Sequence, residues 1–326
     1  MSLSRGLIVT TLIAAVALAA SGVMLPATRA VAAAPMVWTQ APGFYRMRLG
    51  DFEVTVINDG TISLDADKLL AEPPAKTDAA LKRAFEASPV ETSSNTFLIN
   101  TGARLVLIDT GAGALLGPTL GKFLVNLRAA GYRPEQIDDV FLTHMHPDHV
   151  GGLMVDGALA FPNATLHANK RDSDYWLSQA NLDKAPADAK GYFQGAMASV
   201  NPYVAAGKYQ PFDTDGALVP GLRSIATPGH TVGHTSYLVE SKGQRLMVIG
   251  DLIHVAAVQF PDPGVTIAFD SDASTAAATR KKAFGELASD HVLLGAEHLQ
   301  FPALGHLSAA GKSWRWVPVN YSTQLR

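Results

Sequence analysis

The segment Thr143-His144-Met145-His146-Pro147-Asp148-His149 sets three imidazoles and a carboxylate within six residues. Packing of a core turn does not call for that density of metal-competent groups. The preceding Asp139-Val140-Phe141-Leu142-Thr143 is rich in strand formers, which delivers the cluster to the end of a buried strand. His144 and His146 can then converge on one cation. Asp148 and His149, turned aside by Pro147, can converge on a neighbouring one. Imidazole mixed with carboxylate, and no thiolate, suits zinc, manganese, cobalt or iron(II). A site of this kind that keeps a position for water is catalytic rather than structural.

Three further segments supply donors. Thr227-Pro228-Gly229-His230-Thr231-Val232-Gly233-His234 puts histidines on a glycine-bearing turn, Leu246 to Asp251 ends an apolar run in an acid, and Leu293 to His298 ends another in a histidine. Each candidate follows a strand, and ligands in α/β sheets gather at the carboxyl ends of strands. His234 reads as a hydrogen-bond partner supporting the ligands. His167, His291 and His306 read as ordinary histidines, with His306 nearest the pocket rim.

In order and over nearly the whole chain, the His-x-His-x-Asp-His run, Asp109-Thr110-Gly111, Gly229-His230, Gly250-Asp251 and His298 resemble the metallo-β-lactamase superfamily. The stretch Gly250 to Gln259, Asp270-Ser271-Asp272, Arg280 to Phe284 and Trp316 to Tyr321 further resemble methyl parathion hydrolases and their lactonase-like relatives. The resemblance implies two divalent metal ions, zinc first, with manganese, cobalt or iron as alternatives. It places one ion on His144, His146 and His230, the other on Asp148, His149 and His298, and makes Asp251 the bridge and a catalytic residue. Asp109 and His234 would orient the ligands. Water bound to such a metal has its pKa lowered from about 15.7 to near 7, so a bridging hydroxide forms at neutral pH.

Strand patterns recur at Tyr45–Leu49, Phe52–Ile57, Asn95–Ile99, Arg104–Ile108, Val140–Thr143, Thr165–His167, Leu222–Ala226, Ser236–Val239, Arg245–Ile249 and Val292–Leu294. Asn58-Asp59-Gly60 reads as a hairpin turn. Helices are expected over Asp78–Ala87, Pro118–Ala130 and Ala273–Leu287, with Arg280-Lys281-Lys282 as the solvated face of the last. Two mixed sheets flanked by helices fit this count, the αββα sandwich of the resembled superfamily.

The N-terminus combines a short basic start, an apolar run from Gly6 to Ala20 and the small-residue site Ala30-Val31-Ala32. It reads as a signal peptide over residues 1–32, exporting one catalytic domain, residues 33–326, to the periplasm or medium. The apolar run is short of the roughly 20 residues that a membrane span needs. The chain has no cysteine, which excludes disulfides, thiolate ligands and thiol nucleophiles. A formal net charge of -3 with scattered basic residues offers no stripe for nucleic acid. A homodimer is compatible with the sequence. No Gly-x-Ser-x-Gly or Walker sequence occurs.

A lactone, an arylester or a phosphotriester each presents a polarisable oxygen and a leaving oxygen to a two-metal centre. Leu116, Trp176, Phe193, Phe260, Ile267 and Phe269 are the candidate apolar walls, with Trp176 and Phe193 in a loop-rich insertion. Methyl parathion hydrolases carry an aliphatic residue three places after the bridging Asp, and related acyl-homoserine-lactone lactonases a tyrosine that donates to the substrate carbonyl. Here that place holds His254, which can donate similarly. The expected function is therefore a metal-dependent lactonase or arylesterase with promiscuous organophosphate triesterase activity. The alternative is a dedicated organophosphate hydrolase of the methyl parathion type; a non-catalytic metal-binding module has little use for seven ligands.

Overall fold

Four consecutive residues of the strand Leu105–Ile108 are all buried, because both its faces are covered. Val106 and Ile108 point into an apolar layer between two sheets, whereas Leu105 and Leu107 point into a second layer roofed by helices. This alternation is the period of two that a strand imposes. The computed structural model describes residues 34–213 and 215–325, and the signal-peptide reading falls outside them. Among the described residues no helix is long and apolar enough to cross a membrane.

The first sheet comprises β1 (Phe44–Leu49), β2 (Phe52–Leu64), β3 (Val90–Asn100), β4 (Leu105–Ile108) and β5 (Asp139–Phe141). A small hairpin, β6 (Met154–Val155) and β7 (Ala158–Leu159), precedes β8 (Thr165–His167), which completes that sheet in the order β1-β2-β3-β4-β5-β8. The second sheet holds β9 (Gly216–Val219), β10 (Leu222–Ala226), β11 (Thr235–Ser241), β12 (Gln244–Val248), β13 (Leu293–Gly295), β14 (Leu304–Ala310) and β15 (Ser313–Pro318), in reverse order across the sheet. Both are mixed: β4, β5 and β8 run parallel, as do β12 and β13, and the other pairs are antiparallel. The inner faces meet through Val54, Phe97 and Phe141 from one side and Tyr237, Val248 and Leu293 from the other. Helices cover the outer faces, Phe123–Ala129 and Lys190–Ala205 on the first sheet and Ala273–Ser289 on the second. This is the αββα sandwich.

Several local expectations are corrected. Asn58-Asp59-Gly60 is not a hairpin turn: β2 runs straight through it with a register shift between Asn58 and Gly60. The irregularity turns Asp59 inward, where its carboxylate accepts the N–H groups of Ala112, Gly121 and Phe123 and so ties down the loop after β4. Gly111 in that loop has φ of 76°, and a Cβ there would lie 2.4 Å from Asp59 Cγ. Because the loop is pinned this way, the helix expected from Pro118 starts only at Phe123. The supposed loop-rich insertion is helical over Lys170–Trp176, Gln179–Lys184 and Lys190–Ala205. Arg280 is 1% exposed rather than solvated. Only Lys281 and Lys282 of that run face outward.

Candidate metal centre

Every donor that the sequence singled out stands just beyond the carboxyl end of a strand: His144 to His149 after β5, His230 after β10, Asp251 after β12 and His298 after β13. Non-neighbouring segments thereby meet at one end of the sandwich. His144, His146, His230 and Asp251 bring ligand atoms within 4.8 Å of one another, and so do Asp148, His149, His298 and Asp251. Asp251 belongs to both groups. Its Oδ2 lies 3.2 Å from His230 Nε2 and 3.1 Å from His298 Nε2, and its Oδ1 3.2 Å from His149 Nε2.

Supporting hydrogen bonds set which ring nitrogen faces inward. His230 Nδ1 is 3.0 Å from Asp270 Oδ1, His298 Nδ1 is 3.1 Å from the Ser93 carbonyl, and His149 Nδ1 is 3.1 Å from Asp109 Oδ2. His144 Nδ1 is 3.1 Å from the hydroxyl of Thr143. With Nδ1–H spent on these acceptors, each Nε2 carries its lone pair toward the centre. His144 Nε2, His149 Nε2 and Asp251 Oδ1 are buried with no hydrogen-bond partner. Lone pairs crowded at these separations repel unless a cation lies among them. Donors about 2.1 Å from a tetrahedral ion stand about 3.4 Å apart, which the observed spacings match. The residues therefore fit divalent metal ions.

Electrostatics divides the two groups. Burial holds His144 and His146 well below the usual imidazole range. Burial also opposes charge on His149, yet Glu297, Asp251, Asp148 and Asp109 outweigh it and raise that ring well above the range. His230, despite burial, is raised to about 9 by Asp251 and Asp270. Burial pushes against the Asp251 carboxylate too, but the surrounding imidazoles, His298 foremost, keep it well below the usual carboxylate range.

His234 has both nitrogens engaged: Nδ1 lies 3.1 Å from the Thr227 carbonyl and Nε2 accepts the Asp251 N–H at 3.0 Å. Burial lowers it to about 3, so the ring is neutral and has no free lone pair for an ion. Asp109 accepts from the Thr143 N–H and hydroxyl at 2.8 and 2.7 Å while backing His149, which couples the end of β4 to the ligand loop. It does so at a φ of 59°, a left-handed conformation that aspartate tolerates.

His254 lies inside the same cluster, its Nε2 3.1 Å from Asp251 Oδ2 and its Nδ1 without a partner. Burial lowers it to about 4. Two cavities of about 580 Å³ each meet at His146. The first is mostly apolar and includes Leu116, Tyr192, Gln194, His254 and Phe269. The second is bounded by Trp176, Phe193 and Tyr175 together with Tyr192 and Phe269. Trp176 and Phe193 are nonetheless buried in the helix-side core, because the segment carrying them is helical. Ile267 is buried against Leu70 and lines neither cavity; Phe260 stacks on Trp316 in the core behind the second sheet. His306 is exposed on β14, away from both, His291 is exposed in the turn before β13, and His167 bonds Asp139 and the Gln210 carbonyl.

Three buried acids and two polar cavity residues escaped sequence reasoning. Asp172 accepts from the N–H groups of Met145 and Gly233 and from the Thr231 hydroxyl, fastening the loop of His144 and His146 to that of His230. The carboxylate of Glu297, fully buried, has no hydrogen-bond partner, although its Oε2 is 3.3 Å from His149 Nδ1. Burial raises it well above the usual carboxylate range. Asp270 backs His230. Glu297 stands beside His298 and Asp270 inside a family-like motif, so adjacency was a usable signal for these two. Asp172, Tyr192 and Gln194 carry no such mark.

Residues 89–288 match the family model of the metallo-beta-lactamase superfamily. The chain belongs to that superfamily. Among solved structures it is similar to a hydrolase called AbOPH in the beta lactamase superfamily, 36% identical with a TM-score of 0.83 over 87% of this chain and 100% of that one. It is also similar to AidC, described as a dizinc quorum-quenching lactonase in complex with a product, at 28% identity and a TM-score of 0.80 over 86% and 99% of the two chains. Among curated proteins, an atrochrysone carboxyl ACP thioesterase of Passalora fulva is 31% identical over 49% of this chain and 38% of its own length. An N-acyl homoserine lactonase of Bacillus cereus is 26% identical over 48% and 54%. The chain thus spans about half the length or less of such curated relatives.

Proposed function

We propose that the chain hydrolyses lactones and arylesters at a two-metal centre, with organophosphate triesters as a second substrate class. The observation that carries it is Asp251, one carboxylate common to two complete donor groups that face a largely apolar cavity. His144, His146 and His230 would hold one ion, Asp148, His149 and His298 the other, and Asp251 both. When bound, the ions, zinc by preference, would supply an acidified water and polarise the substrate oxygen. Asp270, Ser93, Asp109 and Thr143 keep the imidazoles turned inward, and Asp251 fixes the spacing of the two groups. Leu116 and Phe269 exclude water from the apolar part of the substrate. The described similarity to a dizinc lactonase supports this assignment.

His254 carries the choice between substrate classes. Its neutral ring offers one N–H, to Asp251 or to the carbonyl of a bound lactone or ester. If the carbonyl takes it, His254→Leu lowers lactonase kcat/KM by about ten- to a hundredfold, while phosphotriester turnover is spared or improved. Phe269→Leu widens the same cavity and works in the same direction. The two rings are 6.1 Å apart, close enough for their effects to couple. Both activities are to be measured on the single and double variants at matched metal content. Equal losses on both substrate classes would show that His254 acts through Asp251, and the preference for lactones would fall.

A further inference from the structure

Arg280 is the largest fully buried side chain among the described residues, and a buried guanidinium persists only where its charge and donors are answered. It rises from the helix Ala273–Ser289 into the floor of the centre. Its Nε donates to the carbonyl of Leu252, the residue after Asp251. Its Nη1 donates to the carbonyls of Pro263 and Val265 at 3.1 and 2.8 Å. Its Nη2 stands 3.7 Å from Oδ2 of Asp270, whose other oxygen takes the His230 ring at 3.0 Å. One cation thus touches both the segment that carries Asp251 and the acid that aims His230.

The rest of the helix reinforces this. Thr279 Oγ1 donates to the Pro228 carbonyl at 2.8 Å, and the N–H of Asp272 to the Gly229 carbonyl at 2.9 Å. A Cβ on Gly229 would lie 2.2 Å from the Ala276 nitrogen, so the His230 loop rests directly on helix backbone. Asp270 without Arg280 would be a buried carboxylate facing only His230 and the Ile267 N–H. Such an acid draws the imidazole toward itself, which moves His230 Nε2 relative to Asp251.

We propose that Arg280 is a positioning residue that locks His230 and Asp251 into one metal-binding unit by bridging Asp270 to the Leu252 carbonyl. The proposal rests on the two-metal reading above. It assigns the basic run a buried role and gives the His144–His146–His230 group a support that the other group lacks.

The test compares Arg280→Lys, Arg280→Gln and the double variant Arg280→Gln with Asp270→Asn, each loaded with zinc. Metal per chain is measured first. Release under a fixed excess of chelator, and unfolding temperature in chelator, follow. The expected result is that Arg280→Gln loses one equivalent of zinc at least about tenfold faster than the wild type, the size of effect typical of a ligand's supporting partner, while the second, which shares only Asp251 with the disturbed unit, is accelerated clearly less. Arg280→Lys, which keeps the charge but not the fork of donors, lies between them. If Arg280→Gln does not fold, the lysine variant carries the test alone. In the double variant, where no uncompensated acid remains, release of the first equivalent moves back toward the wild type. Lowered unfolding temperature with both release rates unchanged, or equal acceleration of both, would overturn the proposal and leave Arg280 a purely structural residue. A wild-type protein that holds no zinc would instead overturn the two-metal reading.

Discussion

His230 is backed by an acid whose charge a buried arginine answers, whereas His149 is backed by two acids, Asp109 and Glu297, with no arginine or lysine against them among the described residues. The group around His230 has one carboxylate of its own, the shared Asp251; the group around His149 has Asp148 as well. Imidazoles in the first are mostly driven toward neutrality by burial, those in the second toward protonation by surrounding acids. An ion in the second group would sit in the more negative field, because Asp148 adds a carboxylate there, and would displace more proton on arrival. The two donor groups that share Asp251 are therefore unequal, and part of the inequality comes from residues behind the donors, Asp109 and Glu297 on one side and Asp270 and Arg280 on the other.

Asp251→Asn tests what the groups share. Removing the common charge should cost at least about a hundredfold in turnover and most of the bound metal. Near-normal turnover with two ions retained would show that the groups do not depend on a common bridge.

Asp172 sharpens the contrast, since it braces only the loops of His146 and His230. Burial raises its pKa from 3.8 to about 6. A carboxyl whose folded pKa is raised favours folding most below its unfolded pKa, and that contribution disappears as pH climbs through the folded value. In chelator, the wild type should lose up to about 3 kcal/mol relative to Asp172→Asn between about pH 4 and 6. Parallel stability curves for the two proteins would remove Asp172 from the account.

The smallest expected effect concerns the ions themselves. His298→Asn leaves the first group intact and His230→Asn the second. The ion remaining in the first variant should leave under chelator about tenfold faster, the difference that additional nearby carboxylate makes. The reverse order would mean that the support from Arg280 outweighs the field around His149.

The donors were legible because metal binding demands particular residue types, and five of the seven lie in the two dense runs around His144 and Gly250. Strand periodicity likewise exposed the central strands, whose two-sided burial leaves unbroken apolar runs. What supports the donors was not legible, since Asp172, Arg280 and Asp59 look like ordinary surface residues until the chain is folded. Arg280 sits in a basic run on an amphipathic helix, and only the buried carbonyls of Leu252, Pro263 and Val265 explain its inward turn. Asp59 imitates a turn residue because a bulged strand and a hairpin want the same Asp-Gly pair. The helices around Trp176 and Phe193 were obscured by the prolines and glycines spaced through residues 186–202.

The meeting of donors from the ends of four separate strands, one in the first sheet and three in the second, has a consequence for folding. An unfolded chain can offer an ion only the local run from His144 to His149; the rest arrive once β10, β12 and β13 have found their places. Ions that bind the folded state this selectively act as a thermodynamic ratchet, adding about 4 kcal/mol of stability when free metal stands a thousandfold above the dissociation constant. Metal supply would then govern how long each molecule survives proteolysis, and not merely how fast it turns over.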